Sequence, residues 1–341
     1  MTEFKLPDWP RVYYGPNGTG RIRVAPEDFI VKERLAFEPS GEGEHVFLHL
    51  QKISENTEFI ARLIARFAGV RQRDIGYAGL KDRHAVTSQW FSVWLPGKEA
   101  PNWAELESDQ LKVLQVIRHA RKLKRGVLAA NHFKLRIRDW QGDSVKVDEQ
   151  LQTIRQQGIP NYFGSQRFGN NAQNLQKALA LFQGAKFKPE QRSIYLSAAR
   201  AYLFNQVLAE RIQQKSWQQG LAGDCFMFAG SKAFFQSNDL DQHIWNRLHA
   251  GEIHPTGPLW GLGDPEVTGE AFAFETAALT AFSEWREGLE QQKLAMTRRA
   301  LRVIPGNLQW QWPNPESLEL SFSLPPGSFA TALLRELLDD Q

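Results

Sequence analysis

The chain has 341 residues, 42% hydrophobic and 23% charged, with a formal net charge of +3. That length suggests about two domains with apolar material for more than one core, which excludes wholesale disorder. No apolar run approaches the ~20 residues that cross a bilayer, and the first 14 residues carry Glu3, Lys5, Asp8 and Arg11, so a soluble, cytoplasmic protein is expected.

In chain order, residues 21–25 and 29–33 read as short strands broken by a turn at Pro26, Glu27 and Asp28, and Val46, Leu48 and Leu50 alternate as a further strand. Asn56 can cap a helix whose apolar positions Phe59, Ile60, Leu63, Ile64 and Phe67 follow the 3.6-residue period up to Gly69. A Gly-rich stretch, residues 76–84, then leads into a strand over 89–95. Residues 131–138 alternate cleanly: Phe133, Leu135 and Ile137 face the core, and His132, Lys134, Arg136 and Arg138 face away. A helix with Val147, Leu151 and Ile154 inward ends at Gly158, and composition changes beyond it.

From about 157 to 303 helix patterns dominate: Leu175, Leu179 and Phe182, then 193–212, then an amphipathic run over 281–302, with a hairpin candidate around 229–231. Strands return around 308–312 and 318–324, and a closing helix that Ser328 could cap buries Leu333, Leu334 and Leu337. One discontinuous domain carrying an insertion and three successive units fit this pattern equally well.

Chemistry-bearing residues narrow the function. Cys225 is the one cysteine, which excludes an internal disulfide, a zinc ribbon and Cys-ligated deaminase chemistry, and it reads as a small core residue. Residues 15–20, GPNGTG, lack the Gly-Lys-Ser/Thr of a phosphate loop, and His45 and His49 would stand roughly 13 Å apart on a strand, too far to share a metal. Residues 112–138 hold nine Lys or Arg and no acid, so this segment carries +9 and the remainder −6. Such a block fits a polyanion partner or a solvated cationic loop. Asp82, between Lys81 and Arg83–His84, is the carboxylate best placed to serve as a nucleophile or cation stabiliser, although Lys-Asp in a Gly-rich stretch is also an ordinary exposed turn.

The segment GYAGLKDRHAVTSQWF at 76–91 closely resembles the catalytic motif of the TruD family of tRNA pseudouridine synthases. Further matches are PEDF at 26–29, GEGEH at 41–45, NHF at 131–133, NYFGSQRFG at 161–169, SAARAYLFNQ at 197–206 and PGSFAT at 326–331, together spanning nearly the whole chain. The resemblance implies an α/β (α+β) pseudouridine-synthase fold: a mixed, largely antiparallel sheet with flanking helices, formed by 1–156 and 304–341, and an inserted α/β TRUD domain at 157–303. It places the catalytic carboxylate on Asp82, the ring packing on the target uracil on Phe133, and further contacts to the flipped nucleotide on Phe29, Asn131 and Phe329. Arg23 stands where the family often has lysine, and an Arg fork holds a carboxylate differently from a Lys point charge. The implied partner is tRNA, with uridine 13 of the D arm as target, no metal, no cofactor, no membrane, and a monomeric state. Arg118, Arg121, Lys122, Lys124 and Arg125 of the basic segment are the expected contacts to the RNA backbone. An RNA-binding module without chemistry would leave Asp82 as a turn residue, and a methyltransferase would want a glycine-rich cofactor loop after a strand, which the sequence lacks.

Overall fold

The computed structural model describes residues 4–124 and 126–339. In chain order the elements are β1 (Gly18–Arg21), β2 (Phe29–Leu35), β3 (His45–Ile53), α1 (Thr57–Phe67), β4 (Ile75–Tyr77), β5 (Val86–Trp94), β6 (Leu111–His119), β7 (Leu128–Gly142), α2 (Ser144–Gln157), β8 (Ile159–Pro160), α3 (Gln173–Phe182) and α4 (Pro189–Gln213). They continue as β9 (Cys225–Phe228), β10 (Phe234–Gln236), α5 (Gln242–His249), β11 (Ile253–Leu259), α6 (Gly269–Ala278), α7 (Ser283–Gln291), β12 (Thr297–Ala300), β13 (Arg302–Val303), β14 (Gly306–Asn314), β15 (Ser317–Leu324) and α8 (Ala330–Leu337). Among the described residues no helix is long and apolar enough to cross a membrane.

The chain folds into two units. The sheet unit, Gly18–Gly142 with Pro305–Gly327, holds one nine-stranded sheet in the order β14-β15-β7-β2-β5-β3-β6, with β1 added on β7 and β4 on β5. Only β2 and β5 run parallel, so the sheet is mixed and largely antiparallel, as expected. Its register aligns the core-facing positions. Phe133 of β7 lies between Phe322 of β15 and Val31 of β2, Val31 lies beside Thr87 of β5, and Thr87 beside Lys52 of β3. Two residues along, Asn131 opposes Glu33 and Gln89 opposes Leu50. Because side chains alternate strictly, these residues share one face of the sheet. Helix α1 covers the β3–β5 end of that face, packing Ile60, Ala61 and Ile64 on Leu48, Leu50 and Phe91, while Phe59 stays 44% exposed rather than facing the core.

The helical unit comprises the chain up to Asn17, Asp143–Ile304, and the chain from Ser328 onward. Its core surrounds α4, whose Ala198, Ala199, Leu203, Phe204, Val207 and Leu208 are buried. A four-stranded sheet, β10-β9-β11-β12, stands with it, including the expected hairpin between β9 and β10, and Cys225 is buried on β9. Contacts therefore assign the chain before β1, α2 and the closing helix to this unit, whereas the domain bounds that the resemblance implies group them with the sheet. The physical link is Gln150 of α2, whose amide donates to the carbonyls of Tyr13 (3.3 Å) and Glu336 (2.7 Å).

Three local expectations change. Residues 22–25 are not strand: Arg23 sits at φ +58°, a left-handed conformation that takes the chain out of the ladder after β1. The run over 281–302 is helical only up to Gln291, as a 3-10 turn (Thr280–Phe282) leading into α7, with 297–300 paired as β12 against β11. Ser328 does not cap α8; the N-cap is Phe329, and the Ser328 hydroxyl donates to Asn161 Oδ1 at 3.0 Å.

Candidate active site

Asp82 lies in the loop between β4 and β5, and its side chain is 29% exposed. The loop leaves β4 at a tight spot, since a Cβ on Gly76 would stand 2.5 Å from the Leu123 carbonyl oxygen. It is then fastened by groups from the core-facing rows of the sheet and from the first turn of α1. The Gln89 amide donates to the Gly79 carbonyl (2.6 Å) and accepts from the Thr57 hydroxyl (2.9 Å), which in turn accepts from the Lys81 N–H (3.1 Å). Lys81 Nζ reaches Glu33 Oε1 at 2.7 Å, with both side chains almost wholly buried, and the other Glu33 oxygen accepts from the Trp90 N–H. Lys52, 1% exposed, donates to the carbonyls of Glu55 (2.6 Å) and of Asp82 itself (3.2 Å).

Arg23 completes the setting. Its guanidinium donates to Asp82 Oδ1 at 3.2 Å and stands 4.0 Å over the Phe29 ring, so the left-handed turn that ends β1 aims a cation at the carboxylate. Beneath it, Phe29 meets Phe133 edge-on at 6.3 Å and Phe133 stacks on Phe322 at 5.4 Å. Phe29 is 2% and Phe133 6% exposed, so they form the apolar floor of the site and offer a base an edge or a narrow face, not an open platform. Asn131 closes the row opposite Glu33, and its Oδ1 is buried with no partner among the described residues. An unpaired buried acceptor costs about 1–3 kcal/mol, which an incoming N–H would relieve.

Of the residues singled out in the sequence, the sheet unit thus brings Asp82 and Arg23 into direct contact and sets Phe29, Phe133 and Asn131 on one face of its sheet. Phe329 belongs to the helical unit, where it packs against Phe163 at 5.9 Å. The basic segment divides. Arg118 holds the carbonyls of Gly43 and Lys98, Lys122 holds that of Arg73, Arg136 pairs with Glu319 and Arg138 with Asp28, whereas Arg121 and Lys124 are exposed. Arg125 lies outside the described residues. Sequence reasoning missed Glu33, Lys52, Thr57 and Gln89. A signal existed for two of them, because Glu33 follows Phe29 and Val31, and Lys52 follows Leu48 and Leu50, at core-facing positions of their strands.

Burial pushes the Lys52 ammonium down to about 8, even though Asp82, Glu55 and Glu33 draw it up. An unfolded lysine keeps its proton to about pH 10.4, so between these values the unfolded chain binds more protons and stability rises with pH. Urea unfolding between pH 7.5 and 10.5 is expected to show this rise in the wild type and its loss in Lys52→Met. Parallel curves for the two proteins would mean that Lys52 titrates as a solvated lysine.

The family model for tRNA pseudouridine synthase D (TruD) matches residues 12–181 and 172–337. Among curated relatives, the tRNA pseudouridine synthase D of Methylococcus capsulatus is 52% identical over 334 residues, 97% of this chain and 94% of that protein. That of Nitrosococcus oceani is 48% identical, covering 96% and 92%. The crystal structure of a Methanosarcina mazei protein named for tRNA pseudouridine synthase D superposes with a TM-score of 0.71 at 22% identity, over 97% of this chain and 94% of that one, which shows a shared fold.

Proposed function

The chain belongs to the TruD family, and from that premise we propose that it isomerises uridine 13 in the D arm of tRNA to pseudouridine, as a cytoplasmic monomer, with Asp82 as the catalytic carboxylate. The observation that carries this reading is Asp82 itself, fastened by Lys52 through its own carbonyl and met by Arg23 at 3.2 Å beside an aromatic floor. The sheet unit is then the catalytic domain, and the helical unit contains the inserted domain expected from the sequence.

The reaction breaks the N1–C1′ bond, turns the uracil and joins C5 to C1′. N1 gains a proton and C5 loses one, so atoms balance without an oxidant, reductant or group donor. A uridine stacked in folded RNA cannot present C1′ and both base edges to one side chain, so it is extruded into the site. Asp82 then acts on C1′ as a nucleophile, or stabilises an oxocarbenium-like sugar and removes its C2′ proton on a glycal route. The unpartnered Asn131 Oδ1 suits an N–H of the uracil edge, which keeps the detached base in place while it turns.

Transfer RNA tritiated at uridine C5 tests the proposal, because C5–C1′ bond formation expels that hydrogen. Protein alone is expected to release tritium to water. Binding without release would leave an RNA-binding module, and release that needs an added methyl donor would indicate a methyltransferase.

Arg121 and Lys124 are exposed cations of the basic segment, available to meet RNA phosphates. Neutralising both as Gln is expected to flatten the dependence of log affinity on log salt by roughly one for each phosphate that no longer meets a cation. An unchanged slope would place the RNA backbone elsewhere on the protein.

A further inference from the structure

The helical unit neutralises two of its buried guanidiniums by carboxylates, Arg211 by Asp224 and Arg298 by Glu275. Arg302 is enclosed and gives its donors to His254 and the carbonyls of Leu248 and Ile253. Arg167, Arg200 and Arg299, like Arg192 and Arg286, are half-buried with no carboxylate within 4.0 Å among the described residues. The first three are tied to one neighbourhood. Arg167, in the loop after β8, donates to Ser197 Oγ of α4 at 3.2 Å, and Arg200 follows Ser197 by one turn. Arg200 in turn donates to Thr297 Oγ1 of β12 at 2.8 Å, and Arg299 lies two residues along the same strand face. Arg299 stands 4.1 Å over the Phe163 ring and Arg167 5.6 Å from it, so two cations share one ring.

Partly desolvated cations placed together repel, and that arrangement costs stability unless an anion joins them. Arg299 registers the strain: burial, and after it the nearby Arg167, hold its guanidinium down to about 9. A buried polar atom close to Gly164 is also left unsatisfied. Gly164 has no side chain at a point where a Cβ would stand 2.8 Å from Thr331 Oγ1, and that hydroxyl has no partner among the described residues. Arg167 also faces the ring of Phe329 at 5.8 Å.

We propose that Arg167, Arg200 and Arg299 form a phosphodiester subsite of the helical unit, which takes one backbone phosphate of the bound RNA. Two non-bridging oxygens match the forked donors of guanidinium better than those of ammonium, and the existing bonds to Ser197, Thr297 and Asn161 hold the forks in place. This rests on the reading of the protein as a tRNA enzyme.

Binding of tRNA across a salt series tests the subsite with wild type, Arg167→Gln and Arg167→Lys, each checked for folding by its thermal transition. The Gln variant is expected to bind about tenfold more weakly, with the slope of log affinity against log salt reduced by about one, and the Lys variant to retain the slope. A wild-type slope in folded Arg167→Gln overturns the subsite, as does an equal loss of slope in the Lys variant, which would indicate packing alone. Should Arg167→Gln fail to fold, Arg200→Gln carries the same expectation and the same refutation. Wild-type protein that releases no tritium from C5-labelled tRNA would instead overturn the functional reading beneath it.

Discussion

Replacing Asp82 by Asn is expected to reduce isomerisation by ten-thousand-fold or more while leaving the fold and tRNA binding near wild type. The substitution is isosteric, and the Asn amide oxygen can still accept from Arg23, whose guanidinium reaches Asp82 Oδ1 at 3.2 Å. The hydrogen bond that fixes the loop at this residue also survives, because Lys52 grips the backbone carbonyl and not the side chain. What disappears is the negative charge, and an amide neither attacks C1′ nor stabilises a cationic sugar. Single-turnover tritium release, with binding measured alongside, separates chemistry from affinity. Turnover within tenfold of wild type would remove Asp82 from the mechanism and return it to the role of a turn residue.

Asp82 was legible in the sequence because its neighbours form a dense motif, and the strands were legible because alternation is a local property. The residues that hold Asp82 were not, because they come together only through register. Glu33, Lys52 and Gln89 sit on three different strands and meet the loop because β2 pairs parallel with β5 and β5 antiparallel with β3, a pairing no local pattern specifies. A charged residue at a core-facing strand position was the available hint, since burying it is costly unless a partner arrives from elsewhere in the chain. The extent of the helical unit was hidden for a similar reason. Gln150 lies on an ordinary amphipathic helix, and nothing nearby in sequence shows that its amide bridges Tyr13 and Glu336. The left-handed Arg23 was read as strand because Ile22 and Val24 resemble strand residues, and only the backbone angle shows that the chain leaves the sheet to aim that side chain.

Lys81→Met is the substitution expected to do most damage without touching the reacting atoms. Lys81 Nζ lies 2.7 Å from Glu33 Oε1, and the Glu33 side chain has no exposure at all. Burial already holds the Glu33 carboxyl above its ordinary value, with Lys81 the foremost group opposing that rise. Removing the ammonium leaves a carboxylate buried beside Trp90 and Asn131 with its main counter-charge gone, a change that costs about 3–5 kcal/mol in comparable buried pairs. The folded carboxyl then prefers to be protonated well above the unfolded value near 4.3, so the deficit against wild type is smallest near pH 5 and grows as pH rises toward 8. The double variant Glu33→Gln with Lys81→Met is expected to recover most of the stability, because a neutral amide can still accept from the Trp90 N–H. It should not recover turnover, since the loop bearing Asp82 no longer has its link to β2. Urea unfolding of the wild type, both single variants and the double variant at pH 5 and 7.5 gives the coupling directly. A loss below about 1 kcal/mol for Lys81→Met at pH 7.5 would show the pair to be solvated, and full activity in the double variant would show that it does not position the loop.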